Sequence, residues 1–359
     1  MKIKVLHYLR HLALGGTEKT CQLFAKYLDR EKFEVYVAYE RTGDHPRLPL
    51  FQEILGDNLI EIDSYATEGQ VDASDLQSVI DDKGIDVVHV YQSGYEEYPR
   101  PGIHIKVPHF VITNVFGFID TNPRIDRHIF MSKWLMRKAC GMECHSPKFT
   151  YIDNPVEIQP LKFETFWDEL GWPKDCIIVG RSGRPENGIY DPINVEAAAI
   201  LRKRGYDVRF LVLAPPPNMI KDLERLGIPY RAIEATTDPV VLSKFYNTLG
   251  LFFHARLDGE TCGVCIEEAM MHHVPVITHH AVPANPGMGV FQAQMNLVEN
   301  VGRVVWHCPE RYANSAEELI KDRDAYKRAS QAGRDKALSH FEAGVCARKL
   351  EKIYEDICK

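Results

Sequence analysis

No stretch of the 359-residue chain approaches the roughly 18–20 uninterrupted apolar residues that a membrane span requires. The first residues, Met1-Lys-Ile-Lys-Val-Leu-His7, read directly as a strand and lack the apolar run and small-residue cleavage site of a secretory leader. Excess positive charge is missing too. With 43 Lys and Arg against 50 Asp and Glu, the formal charge is −7, and nothing global favours nucleic acid as a partner. Neither a G-x-G-x-x-G fingerprint nor a G-x-x-x-x-G-K-S/T loop occurs, which argues against dinucleotide oxidoreductases and P-loop kinases. The nine cysteines are odd in number and scattered, so we expect reduced thiols in a cytoplasmic protein rather than a disulfide framework. Internal repeats and low-complexity tracts are absent.

What is present is the composition of a globular chain, 45% hydrophobic and 26% charged, at a length that favours two domains. Short apolar runs alternate with helical patterns almost from end to end. Strands are expected at 3–9, 34–39, 86–91 and 110–114, with helices at 18–28 and 75–83. Around 152–173 the pattern weakens, and Asn154-Pro155, Pro160 and Pro173 punctuate a linker. A second series follows, with strands at 176–180, 208–214, 230–233, 251–255 and 274–278 and helices between them. Alternation of this kind means parallel sheets covered on both faces, with ligands beyond the strand C-termini. The expected division is 1–160, 161–340, and a helix within 341–359 that returns to the first domain, because the face of 345–357 is apolar beyond a complete second sheet.

The most informative stretch runs from Asp258-Gly-Glu-Thr-Cys-Gly-Val-Cys265 to Val274-Pro-Val-Ile-Thr278. A loop carries Glu260, and a helix begins at Thr261–Gly263. The free N–H groups of Cys262, Gly263 and Val264 at that helix start form an anion site suited to a diphosphate. Glu260 lies beside this site and Glu268 two turns along, so the two carboxylates can address different parts of one elongated ligand.

Here the sequence resembles glycosyltransferase family 4, the retaining group with the GT-B fold, in which two Rossmann-like domains face a cleft. The resemblance rests on Glu260, seven intervening residues and Glu268, followed by Ala269-Met270 and Val274-Pro275-Val276. It implies that Glu260 contacts the donor sugar and Glu268 the nucleotide ribose. Leu14-Gly-Gly-Thr-Glu18 is similar to the family's first glycine-rich loop, which places Gly15 and Gly16 on the facing wall. Val179-Gly-Arg-Ser-Gly-Arg-Pro-Glu-Asn-Gly188 is similar to its strand-end segment, where an Arg and a following Lys neutralise the leaving diphosphate. Arg181 matches the Arg.

Two departures stand out. The Lys position falls on Asn187, and Arg184 is the candidate substitute, since a guanidinium binds phosphate oxygens bidentately. A donor-contacting His of the family is replaced by Asn114 after the strand 110–113. The implied activity is transfer of a sugar from a nucleoside diphosphate sugar, with retention and without cofactor or metal, to a hydroxyl on a glycan, lipid-linked or small acceptor. The alternatives are another GT-B enzyme, a phosphorylase or sugar-nucleotide epimerase, and a non-catalytic sugar-nucleotide-binding protein.

Three smaller motifs have plainer readings. Cys262-Gly-Val-Cys265 matches C-x-x-C but sits deep in a chain far longer than a thioredoxin-like domain. Cys140, Cys144 and His145 lack a fourth zinc ligand at finger-like spacing. Between 124 and 148, six basic residues stand against Asp126 and Glu143. This reads as a solvated helix capped by Ser132, or alternatively as a peripheral contact with an anionic membrane surface.

Overall fold

The computed structural model describes residues 1–63, 65–67, 70–92, 104–142, 145–157, 164–282 and 290–359. The chain divides into two units, Met1–Pro155 with Glu342–Lys359, and Val156–Phe341. The boundary expected at 160/161 and Cys144 of the Cys140–His145 group both lie outside the described residues.

The first unit contains β1 (Ile3–Leu9), α1 (Gly16–Tyr27), β2 (Phe33–Glu40), α2 (Leu48–Leu55), β3 (Leu59–Ile62), a hairpin of β4 (Tyr65–Thr67) and β5 (Gln70–Asp72), and α3 (Ser74–Lys83). It continues with β6 (Val87–Gln92), β7 (His109–Asn114), β8 (Arg127–Phe130), α4 (Lys133–Cys140) and β9 (Phe149–Tyr151). Seven strands form one parallel sheet in the order β3-β2-β1-β6-β7-β8-β9. Chain order reverses between β1 and β6, which is the switch point of a doubly wound fold. Ser132 caps α4 by accepting from the Leu135 amide at 3.1 Å, while Leu135 is buried.

The second unit contains α5 (Trp167–Leu170), β10 (Ile177–Ser182), α6 (Ile193–Lys203), β11 (Val208–Leu213), α7 (Pro217–Arg225), β12 (Tyr230–Ile233) and α8 (Pro239–Thr248). After these come β13 (Leu251–Phe253), α9 (Val264–Met271), β14 (Val276–His279), α10 (Ala293–Val298), β15 (Arg303–Val305), α11 (Pro309–Lys321) and α12 (Arg323–His340). Its six strands are parallel, in the order β12-β11-β10-β13-β14-β15, with the switch between β10 and β13. Successive residues enter opposite cores: Ile178 and Phe252 pack on one face, Val179 and Phe253 on the other. This is why the strands read as unbroken apolar runs rather than as alternating ones. Among the described residues no helix is long and apolar enough to cross a membrane.

The last helix, α13 (Ala343–Ile357), belongs to the first unit. Cys346, Ala347, Leu350 and Tyr354 enter the same core as Phe24 and Phe33, and Glu351 accepts from the Asp29 amide at 2.9 Å. Tyr354 also reaches a buried polar chain. Its hydroxyl lies 2.5 Å from His89 Nδ1, His89 Nε2 lies 2.7 Å from the Thr113 hydroxyl, and Tyr91 contacts His7 at 2.9 Å.

Burial lowers the His7 pKa to about 3, with Arg30 adding to the effect, and holds His89 well below its ordinary value. For a base whose folded pKa is depressed, stability is present above the unfolded pKa and is lost as pH falls below it. Unfolding therefore becomes easier below about pH 6.5, by about 2 kcal/mol per buried histidine at pH 5. Urea titrations at pH 7 and pH 5 check this, and equal midpoints would contradict neutral burial of the pair.

Candidate functional site

The C-terminal ends of β10, β13 and β14 meet at the switch point of the second unit, where an α/β sheet opens its crevice. Arg181 leaves β10 here and is only 3% exposed, yet among the described residues its Nη1 has no hydrogen-bond partner. Burial lowers the guanidinium pKa, opposed by the Glu260 carboxylate nearby. A buried guanidinium with an open N–H is costly unless an anion completes it.

Glu260 follows β13 on a loop pinned to the start of α10. Its amide donates to Gln294 Oε1 at 3.0 Å, and its carbonyl accepts from the Ala293 amide at 2.9 Å. Gly259 makes this approach possible: at φ +70 it is left-handed, and a Cβ would fall 1.8 Å from the Phe291 carbonyl oxygen. The Glu260 side chain sits between two partners. Oε1 lies 3.2 Å from His254 Nε2, and Oε2 lies 3.6 Å from Arg256 Nη1. A carboxylate can only accept, so His254 Nε2 carries the proton, and Nδ1 takes the Thr278 hydroxyl at 2.8 Å. Burial pushes the Glu260 carboxyl up, but Arg256 and the His254 hydrogen bond outweigh it and hold the group below the usual range.

Arg256 is itself clamped by Asp258 through contacts of 2.5 and 2.9 Å. Burial acts against its charge, and Glu260 and Asp258 more than restore it. Beneath these groups the Tyr312 hydroxyl lies 3.1 Å from the His254 carbonyl and 2.7 Å from that of Ile277, tying the strand ends together.

Gly263 starts α9 at φ +113 with no side-chain cap, so Cys262, Gly263 and Val264 present backbone at a helix N-terminus. Just over one turn on, Glu268 is 8% exposed and accepts from the Tyr246 hydroxyl at 2.7 Å, while the Tyr246 ring stacks on His272. The thiols here are protonated. Burial raises Cys262 to about 12 and Cys265 well above the ordinary value, so the C-x-x-C pair offers no thiolate.

The remaining candidates are distributed differently. Arg184 is exposed and lies 3.4 Å from Glu186, although its charge is felt at Glu260. Asn187 is exposed and spends its Oδ1 on the Asn218 amide at 2.9 Å, tying its loop to the start of α7. Gly15, Gly16 and Asn114 belong to the first unit, the glycines at the start of α1 and Asn114 at the end of β7. Asn114 is engaged within its own loop, donating to the Phe118 carbonyl and accepting from the Gly117 amide at 2.6 Å.

Sequence reasoning missed His254, Arg256, Asp258 and Gln294. The signal for three of them was the alternation Arg256-x-Asp258-x-Glu260, which sets unlike charges two residues apart just beyond a buried strand. Gln294 left no such signal.

No family model matches the chain, and no curated protein matches it. Solved structures do. A glycosyltransferase from Rickettsia africae aligns over 100% of this chain and 99% of its own, with a TM-score of 0.77 at 16% identity. Anabaena HepE in complex with UDP-glucose aligns over 99% and 100%, with a TM-score of 0.71 at 16% identity. Sucrose-phosphate synthase from Thermosynechococcus elongatus aligns over 99% of each chain, with a TM-score of 0.72 at 14% identity. At such identities the likeness concerns the backbone alone. The chain has the α/β architecture of GT-B glycosyltransferases, with two doubly wound units.

Proposed function

We propose that this chain is a retaining glycosyltransferase that moves a sugar from a nucleoside diphosphate sugar to a hydroxyl acceptor. The observation that carries the reading is Arg181: a buried guanidinium with an unsatisfied N–H, beside Glu260 and the open start of α9 at a sheet switch point. The UDP-glucose complex of the structurally similar HepE makes uridine diphosphate sugars the first donors to try.

In this reading Arg181 and the amides of Cys262, Gly263 and Val264 hold the diphosphate. They stabilise the charge that grows as the bond to the anomeric carbon breaks. Arg256 adds positive potential without contributing a free fork, because Asp258 occupies it. This relieves the demand on Arg184 created by Asn187 at the family's Lys position. Glu260, locked between His254 and Arg256, is an ionised acceptor of fixed direction for sugar hydroxyls. Glu268 receives the ribose. The diphosphate is held by protein groups and asks for no metal.

Incubation of purified protein with UDP-, GDP- and ADP-sugars, followed by NMR of the released or transferred sugar, tests the reading. Release of nucleoside diphosphate with an α-configured product from an α-linked donor is expected. Epimerised donor, phosphorolysis, or binding without turnover would each replace it with one of the other classes. Glu268→Ala gives a second check. Loss of a charged acceptor weakens donor and free nucleoside diphosphate alike by roughly 1.5–3 kcal/mol. An unchanged calorimetric affinity in the folded variant would remove Glu268 from the ribose.

A further inference from the structure

We infer that the second unit carries a site for one divalent transition-metal ion of the zinc class, held by Asp191, His279 and His307. Asp191 stands just before α6, His279 ends β14, and His307 follows β15. Asp191 Oδ2 lies 2.8 Å from His307 Nε2 and 3.5 Å from His279 Nε2, and all three ligand atoms fall within 4.8 Å of one another. Metal–ligand bonds of about 2.0–2.1 Å in a tetrahedral set place ligand atoms roughly 3.3 Å apart, so small movements close this triangle on an ion.

Two independent features point to a cation. The first is the His279 tautomer. Its Nδ1 lies 2.8 Å from the His280 carbonyl oxygen, which can only accept, so Nδ1 carries the proton. Nε2 then accepts from the Arg256 amide at 3.3 Å and also lies 3.5 Å from Asp191 Oδ2 with no proton of its own between them. A lone pair opposed to a carboxylate oxygen is unfavourable unless a positive charge lies between them. A carbonyl fixing the far nitrogen is also the usual second support of a metal-bound imidazole.

The second feature is Asp191 itself. It is 1% exposed, and among the described residues no lysine or arginine pairs with it. Its partners are the two imidazoles and the Ile193 amide. Buried carboxylates are otherwise paired with cations or bind metals. The His307 side chain, 34% exposed, opens the cluster to solvent and leaves a fourth position for water or a ligand.

The second titratable trio of the unit, His254, Glu260 and Cys265, differs in that Arg256 already compensates its carboxylate. The Asp191 site is separate from the diphosphate chemistry. It ties three strand-end segments together directly behind the backbone of Arg256, and it stands or falls independently of the proposed activity.

The test uses tag-free, full-length protein stripped with a chelator and titrated with Co2+ and then Zn2+. One equivalent of Co2+ is expected to bind with visible d–d absorption, Zn2+ is expected to displace it, and the thermal midpoint should rise with Zn2+ concentration. Loss of a direct ligand in His307→Gln, at a position about one-third exposed where the core stays intact, should weaken binding by more than the roughly 10–100-fold cost of losing an outer support. Asp191→Asn keeps the Ile193 contact and should do the same. No stoichiometric binding by the wild type would overturn the inference. So would wild-type affinity retained in both variants, which would place the ion on thiols elsewhere.

Discussion

Arg181→Met is expected to lower turnover by about 100–1000-fold, the loss seen when one preorganised electrostatic donor is removed from a charge-developing transition state. The reason lies in what else the site holds. Arg256 is spent on Asp258 and Glu260, and Arg184 is exposed, so among the described residues at this site Arg181 is the buried cation whose N–H is still open. Steady-state rates with the preferred donor measure the effect, and Arg184→Ala should lose far less. The same substitution makes an opposite prediction for stability. A desolvated guanidinium with an unmade hydrogen bond costs the ligand-free protein about 1–3 kcal/mol, and an apolar side chain of similar length relieves that cost. The denaturation midpoint without ligand should hold or rise. A variant that is both slower and markedly less stable would mean that Arg181 serves the fold rather than the ligand.

Glu260→Ala carries the next largest effect, about 100-fold or more in kcat with little change in the affinity for free nucleoside diphosphate. Its carboxylate is ionised and aimed by His254 and Arg256, so it can distinguish a sugar from no sugar but adds nothing for the nucleotide. Folding stability should fall modestly, because Arg256 keeps Asp258 as its partner and is not left buried without one. Glu260→Gln separates charge from shape. It keeps an acceptor oxygen but lowers the negative potential, and its rate should lie between wild type and Ala. Calorimetry with UDP and with the intact sugar nucleotide checks the split. Equal weakening of both ligands by Glu260→Ala would move this residue from the sugar to the nucleotide.

The two doubly wound units were legible from the residues alone, because a strand buried on both faces must be apolar at every position. Ile178-Val179 and Phe252-Phe253 announce that condition locally, without knowledge of their neighbours. Glu260 and the start of α9 were legible for a similar reason: a glycine-bracketed loop between a buried strand and a helix has few ways to fold. Partnerships were not. That Arg256 is clamped by Asp258, that Asn187 holds the Asn218 amide, and that Asn114 closes its own loop are outcomes of side-chain direction, which composition does not encode. Least legible of all was the meeting of Asp191, His279 and His307, separated by long stretches of chain. Periodicity records which side of an element faces the core. Which strand ends lie beside one another depends on sheet order and register, long-range hydrogen bonding that only the assembled second sheet decides.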